Sequence, residues 1–357
     1  MQTVSPELSF LSFFALISFF IFLMIQKYSS KLFNSKLLDI DYIKPQSFHE
    51  EAIPRSGGVA GIICFILSLI IYKTLFFEIP NDYLVISIGL FLVGFSDDLK
   101  INISPNKRLL LMSIILIISI IFFSLSIEAV DFIFLSNLLE SKVFSTLFLL
   151  FCFLFIINGA NLIDGFNGLL AIHLIIINFI LLLININYQN ENLTFIIAAQ
   201  IIILFSFLLF NFPKAKIFFG DSGAYLFGSL AALNVIQTNN YVNEISSFFF
   251  CILLFYLFFE VFFSFFRKLL NNQSPFKPDN KHLHMLIYNY LKIRFNFKNL
   301  NSINSILINL SYLLIISPAI FFNHNGIFCR YWFLITLVIY FLFYSRISSF
   351  LKNRIDI

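Results

Sequence analysis

Apolar stretches close to the length of a bilayer crossing recur from one end of the chain to the other, and no other feature restricts the fold as much. A helix needs about 20 apolar residues to cross the hydrocarbon core. Stretches near that length run at about 8–26, 57–77, 83–96, 108–126, 144–160, 168–186, 193–212, 223–237, 247–266, 302–322 and 331–348. Those near 83 and 223 fall short of a full crossing, and each adjoins a polar cluster. The runs are too long for barrel strands. Only 12% of residues are charged, against about a quarter in soluble proteins, which excludes a soluble globular enzyme. The expected fold is all-α: a polytopic integral membrane protein of about 11 transmembrane helices (10 or 11), forming a single domain over residues 1–357. Its hydrophilic loops fall at about 27–56 and 267–301.

Lys and Arg accumulate in cytoplasmic loops. With the N-terminus outside, 20 of the 23 basic residues fall on one side, and only Lys73, Lys142 and Arg330 fall elsewhere. This places the C-terminus in the cytoplasm and explains the basic balance by membrane placement, with no nucleic-acid partner. The N-terminal stretch has no Lys or Arg before its apolar run and reads as a retained helix rather than a signal peptide. Cys64, Cys152, Cys251 and Cys329 are scattered without a Cys-x-x-Cys pair, so neither a disulfide framework nor a thiolate zinc site is expected.

Ionisable groups at membrane depth or at a helix mouth are costly and point to function. Here they converge on the inner face. Asp97 and Asp98 (VGFSDDLK) end the third stretch, Asp164 (INGANLIDGFNGLL) joins the fifth to the sixth, and Asp221 (KIFFGDSGAYLFG) opens the eighth. His282 and His284 (SPFKPDNKHLHMLIY) lie between the ninth and tenth. Four carboxylates with Asn158, Asn161 and Asn167 among them make an oxygen-rich set suited to Mg²⁺ or Mn²⁺ rather than zinc. Mg²⁺ typically completes its shell with water and substrate phosphate. A phosphate compound is therefore the implied substrate, and Lys100, Lys107, Arg108, Lys214 and Lys216 are placed to hold its oxygens.

These motifs, in this order and spacing, resemble those of the polyprenyl-phosphate N-acetylhexosamine-1-phosphate transferases, the family of WecA and MraY. The matching stretches are QSFHEEAIPRSGG, VGFSDDLK, NGANLIDGFNGLL, KIFFGDSGAYLFG and FRKLLNNQSPFKPDNKHLHMLIY, spanning about 46 to 288. The last three are closer to the WecA branch than to MraY, whose corresponding loop carries consecutive histidines. The resemblance implies catalytic roles for Asp97, Asp98 and Asp164. It implies a metal site of Asp221, Asp98, Asp164 and Asn161, loaded with Mg²⁺ (or Mn²⁺). Substrate contacts are implied for His282, His284, Lys107, Arg108, Asn158, Arg55, His49 and Arg267. Two positions depart from the pattern: Asn167 stands where many bacterial members have a second Asp, and Met285 replaces a further His.

The implied reaction transfers an N-acetylhexosamine phosphate from a UDP-N-acetylhexosamine such as UDP-GlcNAc to undecaprenyl phosphate. It releases UMP and starts a lipid-linked cell-surface polysaccharide or O-antigen at the cytoplasmic face of a bacterial inner membrane. Asp97 is expected to orient or deprotonate the lipid phosphate, although a phosphate with a second pKa near 6 is largely ionised already. An MraY-like phospho-MurNAc-pentapeptide transferase is the neighbouring alternative, and a lipid-linked-sugar transporter is one of a different class. A transporter would carry its charges through the bilayer centre and show repeat symmetry; the acids here sit at one face and no repeat is evident. A homodimer is compatible with the sequence.

Blander readings stand beside these. Asp221 and Ser222 are both preferred N-caps, and Asp164 beside Gly165 suits a turn. His173 reads as a hydrogen-bonded core residue, and Glu260 with Arg267, seven residues apart, as either a polar network or a nucleotide contact. His282 and His284 share a side only where the chain is extended.

Overall fold

The computed structural model describes residues 6–29, 31, 35–39, 52–101, 103–128, 130–274, 279–295 and 298–354. Helices α1 (Pro6–Tyr28), α2 (Gly57–Phe76), α3 (Asn81–Asp98), α4 (Pro105–Phe122), α5 (Ile133–Leu139), α6 (Lys142–Ile163) and α7 (Leu169–Asn187) make the first half. Helices α8 (Glu191–Asn211), α9 (Gly220–Tyr241), α10 (Ser247–Leu253), α11 (Phe255–Leu270), α12 (Leu283–Arg294), α13 (Leu300–Phe321) and α14 (Gly326–Lys352) make the second. Two residue pairs, β1 (Leu38–Asp39) and β2 (Ile53–Pro54), join antiparallel. The protein is an all-α polytopic membrane protein.

Local chemistry sets the helix starts. Pro105 opens α4 where its missing N–H costs nothing. The side chains of Asn190, Ser246 and Asn325 accept from backbone N–H groups in the first turns of α8, α10 and α14.

All eleven apolar stretches fall on helices. Among the described residues, eight helices are long and apolar enough to cross a membrane, and α10 with α11, bent by 73° at Leu254, makes a ninth if the pair is one span. The other two stretches are α3 and α9, the pair whose apolar runs fall short. In α3 the run is flanked inside the helix by Asp82, Asp97 and Asp98. The polarity of α9 has another cause: the helix packs against α2, α3, α6 and α7 and is buried along nearly its whole length.

A helix surrounded by protein need not be apolar if its polar groups are paired. Asn234 of α9 donates to Asn178 Oδ1 of α7 (2.9 Å) and Gln200 Oε1 of α8 (2.8 Å), and its carbonyl accepts from Tyr83 Oη of α3 (2.9 Å). Asn185 Nδ2 donates to Thr238 Oγ1 (2.9 Å). Close approach is obtained with glycine: a Cβ on Gly94 of α3 would lie 2.5 Å from the backbone of Asp221 and Ser222. His173 is the buried core residue the sequence suggests, its Nδ1 3.1 Å from Asn309 Oδ1. All four cysteines are free thiols.

Candidate active site

The start of α9 is the focus of the site. Before it, Phe218 N donates to Pro54 O, Gly57 N to Phe218 O and Gly58 N to Phe219 O, which fastens the PRSGG stretch alongside the approach to Asp221. Gly220 takes φ +74°, a conformation that favours glycine, and a Cβ there would meet the Asp98 carboxylate at 2.6 Å.

Asp98, only 2% exposed, directs its carboxylate into the first turn of α9. It accepts from Asp221 N (3.0 Å), Ser222 N (2.9 Å) and Ser222 Oγ (2.5 Å). A helix start leaves N–H groups without intrahelical partners and favours negative charge. Asp98 supplies both needs from another helix. The bland expectation that Asp221 and Ser222 cap their own helix is replaced by this cap from α3, and Asp221 is left to face outward.

Asp221 Oδ2 lies 2.6 Å from Arg108 Nη1, and Asp97 Oδ2 lies 2.9 Å from the same nitrogen. These three groups are 18–30% exposed, so the cluster opens to solvent. Arg55 is paired with Asp39, Nη2 to Oδ2 at 2.7 Å. Burial works against its charge, but Asp39, Asp221 and Asp98 together hold its pKa above the ordinary value. Asp164 follows α6. Burial pushes its carboxyl well above the usual range; the charges of Asp221 and Asp98 add to the rise, and Arg55 opposes it.

The His loop forms a second group. His282 is extended (φ −75°, ψ 147°) immediately before α12, so His282 and His284 fall on one side with parallel rings 5.6 Å apart. His284 packs edge-on against Phe166 at 5.8 Å, two residues beyond Asp164. Burial, with smaller electrostatic contributions around it, pushes the His284 imidazole down to about 3. Arg267 Nη2 binds Asp279 Oδ2 at 2.8 Å, so it takes part in a polar network. Burial opposes the Asp279 charge, yet His282 and Arg267 hold it below the ordinary carboxylate range.

The structure thus joins Asp97, Asp98, Asp221 and Arg108 by direct bonds and couples Asp164 and Arg55 to them through charge. Asn158 Nδ2 donates within its own helix to Leu154 O (2.7 Å), and Asn161 offers its carbonyl to Asp164 N (3.4 Å). Lys107 is exposed beside Arg108, and His49 lies outside the described residues. At the departing position, Asn167 Nδ2 donates to Pro213 O (2.9 Å); an ionised Asp has no hydrogen to give there. Sequence reasoning missed Asp39, the Arg55 partner, and Asp279. Asp279 sits in the quoted PDNKHLH stretch, where a carboxylate three residues before His282 was a signal available to be read.

Among the described residues, no three His, Cys, Asp or Glu side chains form a group able to hold a metal ion. Asp221, Asp98 and Asp164 are therefore not a ready-made cage, because Asp98 is turned into α9. The fit to a hard cation lies elsewhere: two carboxylates, Asp97 and Asp221, converge on a single positive nitrogen. One or two carboxylates are what Mg²⁺ usually takes from protein.

A membrane-embedded helical bundle that gathers carboxylates and guanidinium groups at one helix mouth defines a class of enzyme that handles phosphates at a membrane surface. Comparison with known proteins agrees: glycosyl transferase family 4 matches residues 82–239. The chain is 32% identical over 237 residues to a phospho-N-acetylmuramoyl-pentapeptide-transferase of Dictyoglomus turgidum, covering 63% of this chain and 74% of that protein. It is 29% identical over 277 residues to an undecaprenyl-phosphate alpha-N-acetylglucosaminyl 1-phosphate transferase of Thermotoga maritima (76% and 78%). The Escherichia coli K12 protein of that name is 26% identical over 283 residues (76% and 75%). The chain belongs to glycosyl transferase family 4.

Proposed function

We propose that this protein transfers N-acetylhexosamine 1-phosphate, with GlcNAc the first choice of sugar, from a UDP-sugar to undecaprenyl phosphate. The observation that carries the reading is the convergence of Asp97 and Asp221 on Arg108 at the Asp98-capped start of α9. In the balanced reaction, a lipid phosphate oxygen forms a bond to the β-phosphorus of the UDP-sugar. The bond from that phosphorus to the bridging oxygen breaks, and UMP leaves with the electron pair. Such a step depends mainly on positioning and neutralising charge. Arg108 and Arg55 supply fixed positive charge beside the reacting phosphates. Asp221 and Asp97 would hold a Mg²⁺ or Mn²⁺ ion, which supplies neutralisation of pyrophosphate charge. Asp164, its carboxyl pushed up by burial, borders the same locus, and His284 bounds it from the α12 side.

The one-sided distribution of basic residues supports an inner, cytoplasmic placement of this mouth in a bacterial cytoplasmic membrane. The test uses UDP-GlcNAc labelled at the β-phosphorus with undecaprenyl phosphate and purified protein. Label is expected in the lipid fraction, with UMP as the soluble product; label remaining in soluble UDP would refute phosphoryl transfer. The relationship to phospho-N-acetylmuramoyl-pentapeptide transferases favours one second reading, in which the donor is UDP-MurNAc-pentapeptide. Running both donors in parallel separates the two.

A further inference from the structure

Glu260 lies inside α11, on the inner arm of the bent pair, and is 1% exposed. An acid buried in a spanning helix is expensive unless its charge is paired and its lone pairs are used. Its Oε1 lies 3.2 Å from His282 Nδ1 and accepts from Leu283 N at 3.1 Å. Its Oε2 accepts from Tyr340 Oη at 2.6 Å. One carboxylate thus ties α11 to the start of α12 and to α14.

The other side of the same imidazole meets a second acid. His282 Nε2 lies 3.3 Å from Asp279 Oδ1, and Asp279 is itself held by Arg267 Nη2 and by Lys281 N (3.1 Å). Both ring nitrogens of His282 therefore face carboxylates, Nδ1 in a hydrogen bond to Glu260 and Nε2 within ion-pair distance of Asp279. His282 is thereby held between two acids. The free capacity belongs to His284. Its Nδ1 meets Tyr256 Oη at 3.3 Å, its Nε2 is buried without a partner, and its ring abuts Phe166 beside the Asp164 turn.

We infer that Glu260 is a positioning residue for the transfer reaction: with Asp279 it clamps His282 by both ring nitrogens and so sets His284 against the Asp164 turn. This rests on the function proposed above. A purely structural Glu260 would also tie three helices together, but a neutral amide of the same size could share that task. Only a carboxylate offers acceptor oxygens on both sides, one to His282 Nδ1 and Leu283 N and the other to Tyr340 Oη, whereas an amide turns one of them into a donor.

The experiment compares full-length wild type, Glu260→Gln, Glu260→Asp and Asp279→Asn in lipid nanodiscs, measuring kcat, KM for both substrates and thermal stability. A displaced reacting group of this kind costs about 10- to 100-fold. Glu260→Gln should lose that much in kcat with KM within about threefold, and Glu260→Asp should recover part of it. Asp279→Asn approaches the same ring from the loop, without altering a spanning helix, and should lose kcat in the same way even where Glu260→Gln fails to fold. Wild-type kcat in Asp279→Asn, or in a folded Glu260→Gln, overturns the clamp. So does a loss of stability with no change in kcat. If the wild type itself transfers no phosphosugar, it is the proposed function that fails.

Discussion

Two adjacent carboxylates at the end of α3 face different surroundings, Asp97 toward Arg108 and solvent, Asp98 into the buried start of α9. Their substitutions should therefore separate by readout. Asp98→Asn removes the charge from a cap that serves three donors and leaves one acceptor oxygen, so it should lower stability by about 1–3 kcal/mol, seen in thermal unfolding in detergent. Activity should fall with it, because Asp221 loses its support. Asp221→Asn leaves the cap intact. It should reduce turnover by at least about 100-fold, the scale on which charge stabilisation acts, while the unfolding temperature stays near wild type. Equal unfolding shifts in the two variants would count against the division. Removing divalent cations with excess EDTA should silence the wild type, and Mg²⁺ or Mn²⁺ should restore it; full activity under chelation removes the metal reading. Both aspartates were legible as a pair at a helix end. The role of Asp98 was not, since its partners lie more than 120 positions away and are set by how α3 packs on α9.

Among the elements, α3 and α9 depend on one another most closely. Gly94 lies against backbone, not a flexible side chain, so Gly94→Ala cannot be relieved by a rotamer change. It should cost about 1–3 kcal/mol, the usual range for overpacking, and reduce turnover by moving Asp98 away from α9. An unaltered melting curve for Gly94→Ala would show that the close approach is not needed. The apolar count located α9 but assigned it 15 residues against the 22 observed, because hydropathy reads a helix as if lipid surrounded it. Thr238 and Asn239, just beyond Asn234 and Gln237, look like an ending in sequence. Within the bundle both are interior, and Asn234 is paired across four helices. The short α12 was missed for a related reason: its last turn carries Lys292 and Arg294, so it reads as loop. Glu260 was conspicuous as a lone acid in an apolar stretch, but its partners became visible only with the packing of the DNKHLH stretch and α14 on α11.

On the scale of the whole molecule, the sequence carried the class of fold and the order of its segments, since both follow from the length and spacing of apolar runs. Sidedness rests on the 20-of-23 basic partition. A reporter fused after Ile357 should be cytoplasmic, and one inserted between Glu128 and Glu140 should be external. Both reporters on the same side would break the topology.

The enclosure of α9 carries a consequence for how such an enzyme responds to its host membrane. Peripheral helices such as α1 and α14 present many apolar side chains outward, and their tilt can follow the thickness of the surrounding lipid. The element bearing Asp221 touches protein along almost its entire surface, so changes in acyl-chain length reach it only through several packed neighbours. The Asp221 carboxylate is thus mechanically insulated, and adaptation to bilayers of different composition falls to the outer helices.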